Sequence, residues 1–258
     1  MTPLKTIAPF APDKLAAEVV IEATHLHKAF GSNMVLNDFD FELHKGENVV
    51  ILGKSGSGKS VFIKCLIGLL QPDAGSIIVL NKNVMELSHD ALDRLRARIG
   101  FLFQSNALYD SMTVRENLEF PLRRHWIKSD QVKVNTMVQE VLENVGLAHT
   151  INMMPSELSG GMRKRIALAR TLILNPEIIL YDEPTTGLDP ITAREISDLM
   201  LDLGEKYNTS SVIISHDMNC IRQTADRIVL LYNGRAQANG TYHQLSQSDD
   251  YIVKQFFQ

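Results

Sequence analysis

Cysteine is nearly absent: Cys65 and Cys220 are the only two in 258 residues. Two thiols so far apart make neither a disulfide framework nor a metal motif, and a reducing, cytosolic compartment is the simpler expectation. Long apolar runs are missing too. Val49-Val50-Ile51-Leu52 and Ile178-Ile179-Leu180 fall far short of the roughly 18 residues needed to cross a bilayer. The first twelve residues hold one lysine and three prolines, without the apolar stretch of a secretory signal. An excess of positive charge is also lacking. Twenty-six Lys and Arg against 30 Asp and Glu leave a formal net charge of −4, whereas nucleic-acid-binding domains are usually strongly basic. No nucleic-acid partner is expected. What remains is a soluble chain, 45% hydrophobic, able to bury the core of one large domain or two small ones. Docking on a membrane protein stays compatible with all of this.

The hydrophobic pattern divides the chain. Residues 1–17, with prolines at 3, 9 and 12, read as a loose leader. Phe39, Phe41 and Leu43 alternate with Asp40 and Glu42, the mark of a half-buried strand. Residues 48–52, Asn48 followed by four apolar residues, lie between Gly46 and Gly53, as in a strand buried on both faces. A helix is expected next, with Gly68 inside it and Pro72 stopping it. Strands follow at 77–80 and 99–103. Residues 105–174 turn mostly helical, with helices expected at 114–122, 131–145 and 162–174. Strands return at 178–181, 212–215 and 228–231, and Asn233-Gly234 reads as a hairpin turn. This order predicts an α/β fold with a largely parallel central sheet. His25 and His27 flank Leu26 on a strand and are expected to share one face without forming a metal site. Arg94, Arg96 and Arg98 read as a solvated segment.

Gly53-Lys54-Ser55-Gly56-Ser57-Gly58-Lys59-Ser60 fits G-x-x-x-x-G-K-[ST]. Binding a triphosphate requires several backbone N–H groups aimed at one point, and glycine lets the chain curl that tightly. The following helix adds its positive end. Lys59 places a cation near the β and γ phosphates, and the Ser60 hydroxyl is a candidate Mg2+ ligand. A dinucleotide fingerprint fails here, because Val61 stands where the third glycine belongs.

Ile178-Ile179-Leu180-Tyr181 leads into Asp182-Glu183. Asp182 is placed to hold the metal shell and Glu183 to act as general base on an attacking water. Ser215-His216-Asp217 ends another apolar run. Three adjacent side chains diverge too much for a nucleophile–base–acid line; His216 reads either as a structural histidine at a strand end or, since ligands collect at that edge of the sheet, as a sensor of the γ-phosphate. Ser159-Gly160-Gly161 before a helix start makes a second anion site.

Two unlike anion-binding helix starts in one chain form a specific combination. The first resembles a Walker A loop, and Leu158-Ser159-Gly160-Gly161-Met162 resembles the signature motif of ATP-binding cassette (ABC) ATPases. The resemblance runs over about residues 18–245. It implies a P-loop NTPase (RecA-like) core with a mostly parallel sheet, an antiparallel β subdomain and an inserted α-helical subdomain. The implied domain spans 18–250, with core at about 18–104 and 175–250, helical subdomain at about 105–174, and a tail at 251–258. By resemblance, Phe30 stacks on adenine, although a core phenylalanine competes with that reading. Gln104 is the Q-loop glutamine touching Mg2+ and water, Asp182 and Glu183 are the Walker B pair, Asp189 belongs to the D-loop, and His216 is the switch histidine. The implied cofactor set is ATP with Mg2+. The implied assembly is a head-to-tail homodimer with two shared ATP sites, each joining one subunit's Walker A loop to the other's Ser159, Gly160 and Gly161.

The signature usually ends in Gln, and here Met162 stands in its place. Residues 154–162, 102–109 and 188–192 resemble the cassette subunit of Mla-type (MCE-associated) phospholipid transporters. That implies an integral membrane permease as partner, with an MCE-type lipid-binding protein beyond it, at the cytoplasmic face of the inner membrane. The apolar groups Ala107, Leu108, Tyr109, Met112, Val114, Leu118 and Phe120 are candidates for the permease-docking surface, or for packing within the helical insert. The competing reading is an ATP-gated dimerisation module that acts as a scaffold or regulator without transport.

Overall fold

The computed structural model describes residues 18–125 and 130–257. The expected leader and Gln258 lie outside the described residues. Among the described residues ten strands follow one another: β1 (Val19–Phe30), β2 (Asn33–His44), β3 (Asn48–Leu52), β4 (Ala74–Val79), β5 (Lys82–Asn83), β6 (Ile99–Leu102), β7 (Ile178–Asp182), β8 (Ser210–Ile214), β9 (Arg227–Tyr232) and β10 (Arg235–Gly240). The chain divides into two compact units, Met1–Ser88 with Ser210–Gln258, and His89–Thr209.

In the first unit, β2-β1-β4-β5 form an antiparallel sheet. The alternation along β2 does what the sequence implies: Phe39, Phe41 and Leu43 are buried, and Asp40 and Glu42 face out. Phe39 and Phe41 meet Phe62 edge-on, with centroids 5.0 Å apart in each pair, which fastens this sheet to helix Lys59–Leu66. Beside it, β3 runs parallel to both β8 and β9. Val49, Val50, Ile51 and Leu52 are at most 2% exposed, as an unbroken apolar run requires. The chain returns antiparallel from β9 to β10 through Asn233 and Gly234, whose φ values of +48° and +76° are those of a tight hairpin turn.

A buried ion pair stitches this unit together. Arg227 donates to both carboxylate oxygens of Glu47 at 2.7 and 2.9 Å and to the Glu42 carbonyl at 2.7 Å. Burial pushes the Glu47 carboxyl up, but the Arg227 hydrogen bonds and charge and the His44 N–H outweigh it and hold the group below its ordinary value.

One local expectation is corrected here. The helix after the glycine-rich loop stops at Leu66, so Gly68 lies past its end and Pro72 plays no part in stopping it. Gly68 takes φ +63° and donates to the Cys65 carbonyl, while Leu69 donates to the Lys64 carbonyl. That pair of bonds closes a helix through a left-handed glycine. His25 takes φ +50° where the β1–β2 register slips, and Leu26 between the two histidines is wholly buried while His25 is exposed and His27 half-buried, so both lie on the outward side. His25 is exposed and bonds Asp38 at 2.7 Å. Among the described residues no His, Cys, Asp and Glu cluster is arranged to hold a metal ion.

In the second unit, β6 and β7 pair in parallel, from Ile99 with Ile178 to Leu102 with Tyr181. Helices His89–Arg96, Val114–His125, Gln131–Asn144, Gly160–Leu172 and Pro190–Tyr207 belong to this unit. Buried Asn117 organises the loop before the second of these: it accepts from the Tyr109 N–H and donates to the carbonyls of Tyr109, Met112 and Thr113. Arg96 pairs with Asp93 and Arg98 with Glu177, so this basic stretch is a surface of ion pairs. Residues 251–257, expected as a tail, form a short helix of the first unit. Among the described residues no helix is long and apolar enough to cross a membrane.

Candidate functional site

The first unit carries the phosphate-type loop at the carboxyl end of β3. Gly56 and Gly58 take φ values of +76° and +107°. A Cβ at Gly58 would lie 2.7 Å from Val35 Cγ1, and one at Gly53 would lie 2.6 Å from the Leu231 carbonyl oxygen. Any larger residue would open the cradle. Gly58 is the N-cap of helix Lys59–Leu66 and offers no side-chain cap, so the first N–H groups of the helix stay directed at the loop. Buried Lys59 donates to the carbonyls of Gly53 and Lys54 at 2.8 and 2.9 Å, which keeps its ammonium on the loop. A cleft of about 250 Å³ lies beside it, bordered by Val35, Lys54, Ser57 and Tyr232.

Phe30 ends β1 and is 49% exposed, so the core alternative fails. The Lys28 ammonium sits 5.4 Å from its ring centroid. Asp73 steadies this strand end, accepting from Lys28 Nζ at 2.8 Å and from the Ala29 N–H at 2.7 Å. Because β8 pairs in parallel with β3, exposed His216 leaves the same sheet edge as the glycine loop. Ligands of open parallel sheets collect at that edge.

The second unit repeats the logic. Gln104 follows β6 and Asp182 ends β7, and their parallel pairing puts both at one edge. The chain turns at Glu183, which takes φ +52°; a non-glycine residue held in that conformation is a recurrent feature of functional sites. The Thr186 hydroxyl donates to the Glu183 carboxylate at 3.2 Å. Ser159 caps helix Gly160–Leu172 by accepting the Met162 N–H at 3.2 Å, and its own O–H remains a donor. A Cβ at Gly161 would stand 2.8 Å from Thr192 Cγ2. Asp189 caps helix Pro190–Tyr207, accepting from the Ile191 and Thr192 N–H groups and from the Thr192 hydroxyl at 2.6 Å. The Thr192 hydroxyl is the chief cause holding the Asp189 carboxyl below its ordinary value.

The structure thus gathers Phe30, Gly53 to Ser60 and His216 in one unit, and Gln104, Ser159, Gly160, Gly161, Asp182, Glu183 and Asp189 in the other. Each set by itself offers donors of the kind a magnesium triphosphate takes. The Ser57 hydroxyl is buried in the loop with no hydrogen-bond partner among the described residues, and the glycines leave room that a Cβ would fill. The hydroxyl of Ser60, the amide of Gln104 and the carboxylate of Asp182 are the hard oxygens that magnesium selects.

Two residues of this neighbourhood, Lys164 and Arg170, do not figure in the sequence reading. Lys164 is 2% exposed and donates to the Gln104 carbonyl at 3.3 Å. Burial pushes its ammonium down to about 8, against the attraction of Asp182. Helical spacing from the buried Ala167, Leu168 and Thr171 was the available clue. Arg170, in the same helix, holds the carbonyls of Asn106 and Ala107.

Comparison with known proteins bears on these two half-sites. Residues 36–186 match the protein family described as ABC transporter. A probable ribonucleotide transport ATP-binding protein, mkl, from Mycobacterium leprae is 41% identical over 238 residues, covering 92% of this chain and 68% of that protein. The intermembrane phospholipid transport system ATP-binding protein MlaF of Haemophilus influenzae is 37% identical over 237 residues, covering 92% of this chain and 89% of that one. Among solved structures, the ATP-binding cassette MJ0796, a dimer in a post-hydrolysis state with ADP and Pi, superposes with a TM-score of 0.77 at 32% identity, over 85% of this chain and 97% of that one.

Proposed function

Because this chain belongs to the ABC transporter family, as an ATPase that binds ATP with Mg2+ and hydrolyses it, we propose that its hydrolysis drives phospholipid transport through a membrane permease. The observation that carries the lipid reading is the near end-to-end match to the phospholipid transport protein MlaF. The stretches 102–109, 154–162 and 188–192 support it.

Each residue has a role in this reading. Phe30 stacks on the adenine. Lys59 and the N–H groups of Gly53 to Ser60 hold the phosphates; Ser60, Gln104 and Asp182 would hold the metal. When bound, Mg2+ would supply positive charge to neutralise the phosphate oxygens. Glu183 takes the proton from the attacking water, and His216 contacts the γ-phosphate. Ser159, Gly160 and Gly161 serve the triphosphate on a second copy of the chain, with Asp189 beside them, so ATP fastens a head-to-tail homodimer and hydrolysis loosens it. A ligand that binds one state better shifts the balance only by that difference, and here the closed state alone adds the second set of donors.

The permease docks at the cytoplasmic face of the inner membrane, with an MCE-type lipid-binding protein as the further partner. Tyr109 and Phe120, 42% and 38% exposed with rings 4.8 Å apart, form the apolar centre of the docking surface. Val114 and Leu118, fully buried, pack inside the unit instead. A short amphipathic permease helix fits such a patch.

Purification from native membranes in mild detergent, with mass spectrometry of proteins and lipids, tests the substrate reading. A multi-spanning permease and bound phospholipid are expected. A complex free of membrane proteins would favour the scaffold reading, and a permease that carries nucleotides but no lipid would place the chain with the ribonucleotide transport relative. The dimer is tested separately. Ser159→Arg puts a long cation into the turn, so the variant should still bind ATP as a monomer but fail to dimerise with it. Size-exclusion chromatography with ATP in a Glu183→Gln background reads this directly, and an undiminished dimer peak would refute the shared site.

A further inference from the structure

The helix that begins at the Ser159–Gly161 turn reaches back to the glutamine-bearing segment through two cations. Lys164 donates to the Gln104 carbonyl at 3.3 Å from an almost wholly buried position. Further along the helix, Arg170 donates to the Asn106 carbonyl at 3.1 Å and the Ala107 carbonyl at 2.8 Å, with its guanidinium 5.9 Å from the Tyr109 ring centroid. Three carbonyls of one short segment are therefore held by one helix. The segment needs holding: Asn106 and Ala107 take φ values of +64° and +52°, which side-chain-bearing residues disfavour.

The chemistry of Lys164 suits more than packing. Burying an ammonium is unfavourable, and an apolar side chain of similar length would fill the space without that penalty. What methionine could not do is grip a carbonyl.

We propose that Lys164 is a positioning residue for Gln104: together with Arg170 it fixes the backbone of residues 104–107 to the helix of the anion-binding turn, so that the place of the Gln104 amide follows the place of that turn. This rests on the reading of Gln104 as the group that meets the metal and the water. It gives the turn a second task. A shift of Ser159–Gly161 on engaging nucleotide is carried along the helix to Gln104, and the amide is brought to its working position by the same event.

A double-mutant cycle with Lys164→Met and Gln104→Ala tests this, with kcat, KM for ATP and the thermal midpoint measured for each variant. Lys164→Met is expected to lower kcat about tenfold, as loss of an outer support typically does, and to leave KM within about twofold, because it removes an interaction made in the transition state. The thermal midpoint should not fall. In the Gln104→Ala background the same substitution should change kcat by less than about twofold, the non-additivity expected of a residue that acts through another. Wild-type kcat in Lys164→Met, or an equal loss with and without the Gln104 amide, would overturn the proposal. Wild-type kcat in Gln104→Ala alone would overturn the role of Gln104 itself and the proposal with it. Should Lys164→Met fail to fold, Arg170→Lys keeps the charge but loses the fork on two carbonyls. It should then lower kcat about threefold, again only when Gln104 is present, and no loss of kcat would overturn the proposal.

Discussion

Glu183→Gln is expected to lower kcat by about 10²-fold or more, the usual contribution of a positioned general base. The amide is nearly the same size and still accepts a hydrogen bond through its oxygen, so the Thr186 hydroxyl keeps its partner. What the amide lacks is the basicity to take a proton from water. The turn at Glu183 has φ +52°, and glutamine meets the same backbone restriction, so the local geometry should persist. In the proposed reading Lys59 and the glycine loop hold the nucleotide, so binding should be retained. The variant should therefore accumulate with ATP uncleaved, in the dimeric state that ATP favours. Phosphate release measured beside light scattering checks both halves, and turnover at the wild-type rate would remove Glu183 from its role.

Lys59→Ala acts at the opposite stage. The Lys59 ammonium meets carbonyl oxygens of Gly53 and Lys54, and phosphate oxygens are the stronger acceptors for it. A hydrogen bond involving a charged group contributes about 1.5–3 kcal/mol, which corresponds to roughly 10- to 150-fold in Kd. A loss in that range is expected by titration with a fluorescent ATP analogue, and hydrolysis should fall with it at fixed nucleotide. Unchanged affinity in a folded variant would count against the cradle. The two substitutions thus separate holding the nucleotide from cleaving it.

The elements that bear these residues were legible because each is written locally. A buried parallel strand shows as an apolar run in β3, a half-exposed strand as alternation in β2, and the glycines of 53–58 mark a loop with positive-φ turns that other residues disfavour. What escaped the reading depends on partners distant in sequence. The stop at Leu66 is made by Gly68 in a left-handed turn, which a helix-like run of side chains conceals. The slip at His25 comes from pairing with β2 and with Asp38 and Asp40 there. Phe30 could be read as core or surface until its exposure was known. Lys164 is the sharpest case: a lysine beside two arginines reads as solvent-facing, and only helical phase against the buried residues around it says otherwise. Two parallel pairings bring their loops to one edge in each unit, and no single stretch of sequence records which strand lies next to which.

The methyl of Thr192 rests where a side chain on Gly161 would have to be, and its hydroxyl holds Asp189 at the same time. One threonine thereby works like a tooth seated in a notch. The second glycine of the turn and the acidic cap meet at a single point of contact, so neither can slide without dragging its neighbour. An alanine in the notch would put its methyl 2.8 Å from that of Thr192, so the turn or the threonine must give way, and the hold on Asp189 with it.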